Sequence, residues 1–360
     1  MPKSILFTVT TDLRHDQRMQ RIASALAKAG YAVSLVGRAL PASLPLDKTD
    51  FTQTRLTCFF HTGPLFYLEF NLRLFFWILK ASPDILGIVD ADTALAGVMA
   101  AKLKKMLVTY DAHELFPEMP EVVHRPLVKK IWGSLEELAF KRADRAYTVS
   151  TSLASYFQDK YHMPVGLVRN MPWKVSTNAS EQEPPYFIYQ GALNVGRGLE
   201  CLLHAMQGVE VHLMICGIGP LEAELKRLSY QLALEGKVQF KGNVPPEDLM
   251  TLTQKAKAGI MLLEENGLSY FYSLANKFFD YVHAGIPQVC IAFPEYKALN
   301  QLHEVAVLTE LEVSQVQAAL QSLLHDKELY SQLQQNCLTA REEWNWEKES
   351  QALLKIYADV

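Results

Sequence analysis

The chain has 360 residues, 49% of them hydrophobic and 21% charged, with a formal net charge of −4. That length exceeds one ordinary hydrophobic core and suits two domains of similar size, while the acidic balance gives no reason to expect DNA or RNA as a partner. The five scattered cysteines show no metal-ligand spacing, the N-terminal apolar run is short for a secretory signal, and no run reaches the ~18 apolar residues of a membrane span, so a cytoplasmic enzyme is expected.

In chain order, the first half alternates short β-rich runs with helical patterns. Strands are expected at Ile5–Thr10, Ala32–Val36, Ile85–Val89, Met106–Tyr110 and Ala146–Val149, and helices around 16–29, 66–80, 92–104, 126–143 and 151–159. This alternation argues for an α/β unit with a parallel sheet covered by helices. At the first strand-to-helix junction stand Asp12, Arg14 and Arg18, without a glycine-rich loop. That face suits an acceptor or leaving group better than a dinucleotide. The strand ending near Tyr110 delivers Asp111, His113 and Glu114. Three readings of His113 stand together: a neutral donor to a sugar hydroxyl or phosphate, a capping or core residue, or part of a metal site. The helix over 126–143 is expected to bury Leu127, Ile131, Leu135 and Leu138 beneath a ring of lysines and arginines. A solvated face is the first reading of that ring, and a weak peripheral membrane contact the second.

Residues 169–185 are polar and proline-marked and read as a linker. The α/β pattern then restarts, with strands expected at Tyr186–Gln190, Val211–Cys216, Val238–Phe240, Gly259–Leu263 and Gln288–Ile291. Helices are expected over 198–206, 221–234, 246–257, 274–284, 313–324 and 327–339. Open parallel sheets bind ligands beyond the carboxyl ends of their strands, so those junctions carry the candidates. After Gln190 come Gly191, Gly196, Arg197 and Gly198. They make either a phosphate-binding loop or a structural turn with a solvent arginine. Gly217, Gly219 and Pro220 repeat the construction, and the loop after Phe240 offers a place for a nucleobase. In "SLANKFFDY" Ser273, Asn276, Lys277 and Asp280 cluster at the start of one helix. Lys277 and Asp280 are three apart and share a helix face. They form either a surface ion pair or a device in which the lysine takes a phosphate and the carboxylate takes vicinal hydroxyls.

Together these junctions resemble the GT-B glycosyltransferases, most closely glycosyltransferase family 4. The likeness is carried by Asp111-Ala112-His113-Glu114, Gly191 through Gly198, Cys216-Gly217-Ile218-Gly219-Pro220, and Ser273 through Pro287, in order along the whole chain. The resemblance implies a GT-B fold, two Rossmann-like α/β domains facing each other across a deep cleft. Its acceptor-side domain would span 1–168, with the C-terminal helix 341–360, including Trp344 and Trp346, packing back onto it. The nucleotide-sugar domain would span 186–340. It also implies a retaining transfer from a nucleoside-diphosphate sugar to a sugar, lipid-linked or small-molecule hydroxyl acceptor, without a metal or other cofactor. Cell-envelope polysaccharide or glycolipid synthesis, at the inner face of the membrane, is the expected setting.

By that resemblance Arg197 and Lys277 hold the diphosphate and His113 lies beside the transferred sugar. Gly191, Ala192, Gly217 and Gly219 approach the donor with their backbones, Phe240 and Lys241 flank the base, and Ser273, Leu274, Asn276 and Asp280 complete the contacts, Asp280 at the ribose. Ala192 stands where many members carry an arginine, Asp280 replaces a glutamate, and Tyr272 stands where many carry an acid. These departures keep a catalytically weak, glycosyltransferase-like partner protein as one alternative, beside a sugar-nucleotide 2-epimerase of the same fold.

Overall fold

The computed structural model describes residues 2–175, 184–358 and 360. It divides into two compact units, Met1–Asn170 with Gly267–Ser269 and Glu349–Val360, and Met171–Asn266 with Tyr270–Lys348. Part of the expected linker, residues 176–183, lies outside the described residues. Met171, placed in that linker by the sequence, is instead buried in the core of the second unit.

In the first unit the strands are β1 Ser4–Thr8, β2 Ala32–Arg38, β3 Thr52–Leu56, β4 Ile85–Val89, β5 Leu107–Ala112, β6 Arg145–Thr148 and β7 Val165–Leu167. They form one parallel sheet in the order β3-β2-β1-β4-β5-β6-β7. In the second unit β8 Tyr186–Gln190, β9 His212–Cys216, β10 Val238–Gly242, β11 Ala258–Met261, β12 Gln288–Ile291 and β13 Ala306–Thr309 form a parallel sheet ordered β10-β9-β8-β11-β12-β13. Central strands such as β4 (ILGIV) and β8 (YFIYQ) are buried at every position, because helices cover both faces of a parallel sheet. The sequence reading missed β3, β7 and β13. All three are edge strands with largely half-buried patterns, where apolar periodicity is weakest. The nine-residue helix Pro294–Leu302 was missed as well.

In each sheet the strand order reverses once, between β1 and β4 and between β8 and β11. Two crossovers leave such a point in opposite directions and open a crevice at the carboxyl ends, which is where ligands bind in open α/β sheets.

Two helices differ from expectation. In Pro126–Arg142 the leucine row is not the inner stripe, because Leu127 is 79% exposed and Ile131 59%. The buried row is Glu136, Ala139 and Phe140, about 100° round the helix. Phe140 packs between Tyr110 and Phe157, and Glu136 accepts hydrogen bonds from Lys160 Nζ (2.9 Å) and Tyr161 OH (2.6 Å). These contacts set the roll of the helix. The final helix begins at Trp346, after Trp344. Both tryptophans pack within the second unit, Trp344 on Phe278, Phe279 and His303 and Trp346 on Trp173. In the first unit it is Tyr357 that anchors the chain end, with its OH 2.9 Å from Thr109 Oγ1 and its ring against Phe7.

The helix Gly63–Ala81 carries two apolar stripes. Phe66, Phe70, Leu74 and Ile78 are buried, whereas Leu65, Leu68, Leu72 and Phe76 are 54–66% exposed.

Candidate active site

The second unit builds its site at the β8/β11 reversal. Beyond the strands, the turns continue the ladder: Gly191 N–H donates to Cys216 O at 3.0 Å and Gly217 N–H to Gly242 O at 2.8 Å. The ends of β8, β9 and β10 are thereby held side by side, with Gly191 and Ala192 exposed and Gly217 and Gly219 less so. Lys277 enters from the helix Asn276–Ala284, in a first turn without an acidic residue. Only 8% of Lys277 is exposed, its Nζ lies 4.0 Å from the centroid of the Tyr189 ring, and a Cβ built on Gly191 falls 4.0 Å from that Nζ.

Arg197 stacks on Tyr270, with its guanidinium carbon 5.0 Å from the ring centroid. Its buried Nε has no hydrogen-bond partner among the described residues. Burial drives the pKa of Lys277 well below the ordinary lysine value, and the charge of Arg197 drives it further down. Two neighbouring cations thus share a half-closed place with a helix N-terminus, whose dipole is also positive. Among the described residues neither makes an ion pair with a carboxylate. The surface ion pair between Lys277 and Asp280 is absent: Asp280 Oδ2 accepts from Gln190 Nε2 at 3.0 Å, and Gln190 Oε1 accepts from Thr253 Oγ1 at 2.8 Å. Isolated buried cations are costly unless an anion meets them, which gives this constellation the chemistry to receive one.

The remaining sequence candidates divide. Ser273 uses its hydroxyl within the turn, donating to Tyr270 O at 2.8 Å. Leu274 is buried in the core and leaves only its backbone for a ligand, while Asn276 is exposed at the helix start. Phe240 is half-buried with Lys226 Nζ 5.7 Å from its ring, and Lys241 is an exposed residue of β10 rather than of a loop. Tyr189, Gln190 and Tyr270, which seat Lys277, Asp280 and Arg197, were missed. A glutamine ending an otherwise apolar buried strand was the available signal for Gln190.

The first unit gathers a different set at the β1/β4 reversal and the end of β5. Arg18 and Asp111, 5% and 1% exposed, form a two-point pair: Nη2 donates to Oδ1 at 2.8 Å and Nε to Oδ2 at 3.2 Å. His113 Nε2 lies 2.8 Å from Asp111 Oδ2, and Nδ1 lies 3.4 Å from Asp90 Oδ2. Arg18 Nε is also 2.8 Å from His113 Nε2, but a nitrogen that gives its proton to Asp111 has no lone pair to accept, so Arg18 belongs to Asp111. The His113 backbone N–H donates to Asp90 Oδ1 at 2.8 Å. Asp90 has φ 57°, an αL conformation that aspartate tolerates better than most residues. Asp92 accepts from Thr10 Oγ1.

Burial alone would lower the His113 pKa, but Asp111 and Asp90 outweigh it and raise it to about 9. Burial likewise pushes up Asp111, yet Arg18 and His113 bring it below the ordinary value. Asp90 is raised to about 8, mainly by burial and against the pull of His113. Asp92 is raised to about 6, again mainly by burial. The two carboxylates thus favour a protonated His113 ring, where a neutral one is expected from the sequence. Asp12 and Arg14 do not join it: Asp12 pairs with Arg55, and Arg14 donates to Pro45 O. Asp90 and Asp92, in the "VDAD" that follows β4, were the members missed. Among the described residues no group of three or more His, Cys, Asp or Glu is placed to hold a metal ion.

An NMR titration of His113 is expected to show a midpoint near pH 9. The folded chain holds that proton where the unfolded chain, at 6.5, has released it. The stabilisation is thus complete below pH 6.5 and lost as pH rises toward 9. Asp90, also raised, works in the same direction over a lower window. A midpoint near 6.5 would remove the imidazolium from the site.

Residues 17–171 match the model described as Glycosyltransferase Family 4, and residues 174–338 match the model described as Glycosyl transferases group 1. A D-rhamnosyltransferase of Pseudomonas aeruginosa, WbpZ, is 29% identical over 164 residues, 43% of this chain and 42% of that protein. The O-antigen chain mannosyltransferase C of Escherichia coli is 27% identical over 155 residues, 42% of this chain and 41% of its own length. The matched portion thus spans less than half of each of these relatives. Among solved structures, a sucrose-phosphate synthase from Thermosynechococcus elongatus superposes with a TM-score of 0.81 over 99% of this chain and 98% of its own, at 17% identity. That likeness bears on the fold alone.

Proposed function

We propose that this chain, a GT-B fold glycosyltransferase related to family 4 and group 1, moves a sugar from a nucleoside-diphosphate sugar to a hydroxyl acceptor, with retention of configuration and without a metal. One observation carries the reading: two adjacent basic residues, Lys277 and Arg197, with no carboxylate partner among the described residues, sit at a helix N-terminus beside Gly191. A diphosphate supplies the missing charge. As the glycosidic bond breaks, negative charge grows on the leaving diphosphate, so cations already in place stabilise the transition state more than the bound donor. Asp280, oriented by Gln190, is assigned to the ribose hydroxyls, and the protonated His113 to an oxygen of the transferred sugar. The curated relatives are named for rhamnosyl and O-antigen mannosyl transfer, which supports an envelope polysaccharide as the product.

The test is a panel of nucleotide sugars read by thermal shift. A matching donor at a hundred times its Kd stabilises the protein by about 2.7 kcal/mol. The Arg197→Ala, Lys277→Ala double variant is expected to show no shift; a shift that persists unchanged refutes the placement. Release of free nucleoside diphosphate only when an acceptor is present then separates transfer from epimerisation.

A further inference from the structure

We infer that the first unit docks, through the outer face of its helices Gly63–Ala81, Ala94–Lys104 and Pro126–Arg142, on the surface of an anionic lipid bilayer. These helices connect β3 to β4, β4 to β5 and β5 to β6, successive steps in one direction across the sheet. Right-handed crossovers place all three on the same face of it. They also touch in that order, and Tyr67 of the first meets Trp132 of the third edge-on at 5.2 Å.

Each presents apolar side chains outward at helical spacing. The outer row of Gly63–Ala81 continues into Leu95, Met99 and Leu103, 41–66% exposed, and into the exposed Leu127 and Ile131. A helix that is apolar on both sides is normally covered on both sides. Ahead of the first helix, Phe59 is 83% exposed yet not loose. Glu69 accepts from the backbone N–H groups of Phe59 and Phe60 at 2.9–3.0 Å, and Arg73 lies 5.4 Å from the Phe59 ring centroid.

Charge selects the occupant. Residues 63–81, 94–105 and 124–142 together hold ten lysines and arginines and three acids, Glu69, Glu137 and the buried Glu136, in a chain whose net charge is −4; Lys129 and Lys141 are paired with Glu118 and Glu137. Arg73 pairs with Glu69 at 2.8 Å. A second copy of the chain would set two such basic faces against each other. An anionic bilayer answers both features, taking the apolar rows into its acyl boundary and the lysines at its headgroups. The helices lie on this surface and do not span it, since no helix among the described residues is long and apolar enough to cross a membrane.

Flotation with phosphatidylcholine vesicles, with and without phosphatidylglycerol, tests this independently of donor binding. The intact chain is expected to float with phosphatidylglycerol vesicles at low salt and to release at high salt. Lys102→Gln, Lys104→Gln, Lys105→Gln should weaken partitioning by about a hundredfold. Leu68→Ser, Leu72→Ser, Phe76→Ser should abolish it, with melting temperature and nucleotide-sugar shift unchanged because these side chains are exposed. The inference is overturned if the intact chain stays unbound, if it binds both vesicle types equally, or if it is a lipid-free dimer that the serine variant splits.

Discussion

Lys277→Met should abolish donor binding and at the same time raise the stability of the ligand-free protein. The two effects have one cause. In the unliganded chain the amine is buried beside Arg197 at the positive end of a helix, and burial with that neighbour holds its pKa well below the usual lysine value. Methionine keeps most of the volume and the packing on Tyr189 while removing the charge. Replacing buried ionic groups by apolar side chains of similar volume is often neutral or stabilising, by about 1–4 kcal/mol, and here no partner is left behind unpaired. The diphosphate loses a desolvated, charge-assisted contact, and kcat/KM for transfer is expected to fall by about a thousandfold.

A pH signature accompanies it. Lys277 has a depressed folded pKa, so the chain must take up a proton when the anion binds anywhere between that value and 10.5. Donor affinity should therefore fall as pH rises through that window. The folded, ligand-free chain should gain stability with rising pH over the same window, because the unfolded chain binds the extra proton. Calorimetry in buffers of different ionisation enthalpy reads the uptake directly. If Lys277→Met loses stability and keeps donor binding, the ammonium is an ordinary paired group and the anion site lies elsewhere.

Gly217→Ala is the second large effect and acts through the backbone. Gly217 follows β9 with φ 155°, and a Cβ placed there would stand 1.8 Å from Gly191 O. That oxygen belongs to the neighbouring turn, which is itself bonded to Cys216 O and cannot swing aside like a flexible side chain. The strands β8 and β9 must separate at their carboxyl ends, opening the site floor. A loss of about 3 kcal/mol or more is expected, as for other substitutions that force strain on packed backbone. Gly236→Ala is the control, since nothing lies within 4 Å of a Cβ there and its φ is not in the left-handed region. Chemical denaturation of both variants, followed by probes in the second unit, checks the contrast; equal stability would mean that the turn yields.

Much of the fold was legible because it rests on local periodicity. Runs such as Ile85–Val89, Tyr186–Gln190 and Gln288–Ile291 are apolar on both faces, and only a central parallel strand buries both. Edge strands bury one face at most, and β3, β7 and β13 gave too little pattern to find. For Pro126–Arg142 the composition was read correctly and the roll was not. Two candidate inner rows lie one residue apart, and long-range partners on Tyr110, Phe157 and Lys160 choose between them.

The sequence by itself determined the residue types at the strand ends: glycines and Arg197 after β8, glycines after β9, Lys277 and Asp280 on one helical turn, and His113 after β5. Spacing along one segment fixes such placements. Tertiary structure alone decided which charges meet. It separated Lys277 from Asp280, gave Asp280 to Gln190, set Arg197 on Tyr270, and closed Asp90 on His113 beside Asp111. An ion's state depends on burial and on neighbours within a few ångströms, and Gln190 beside Asp280, Tyr270 beside Arg197 and Asp90 beside His113 all come from other parts of the chain.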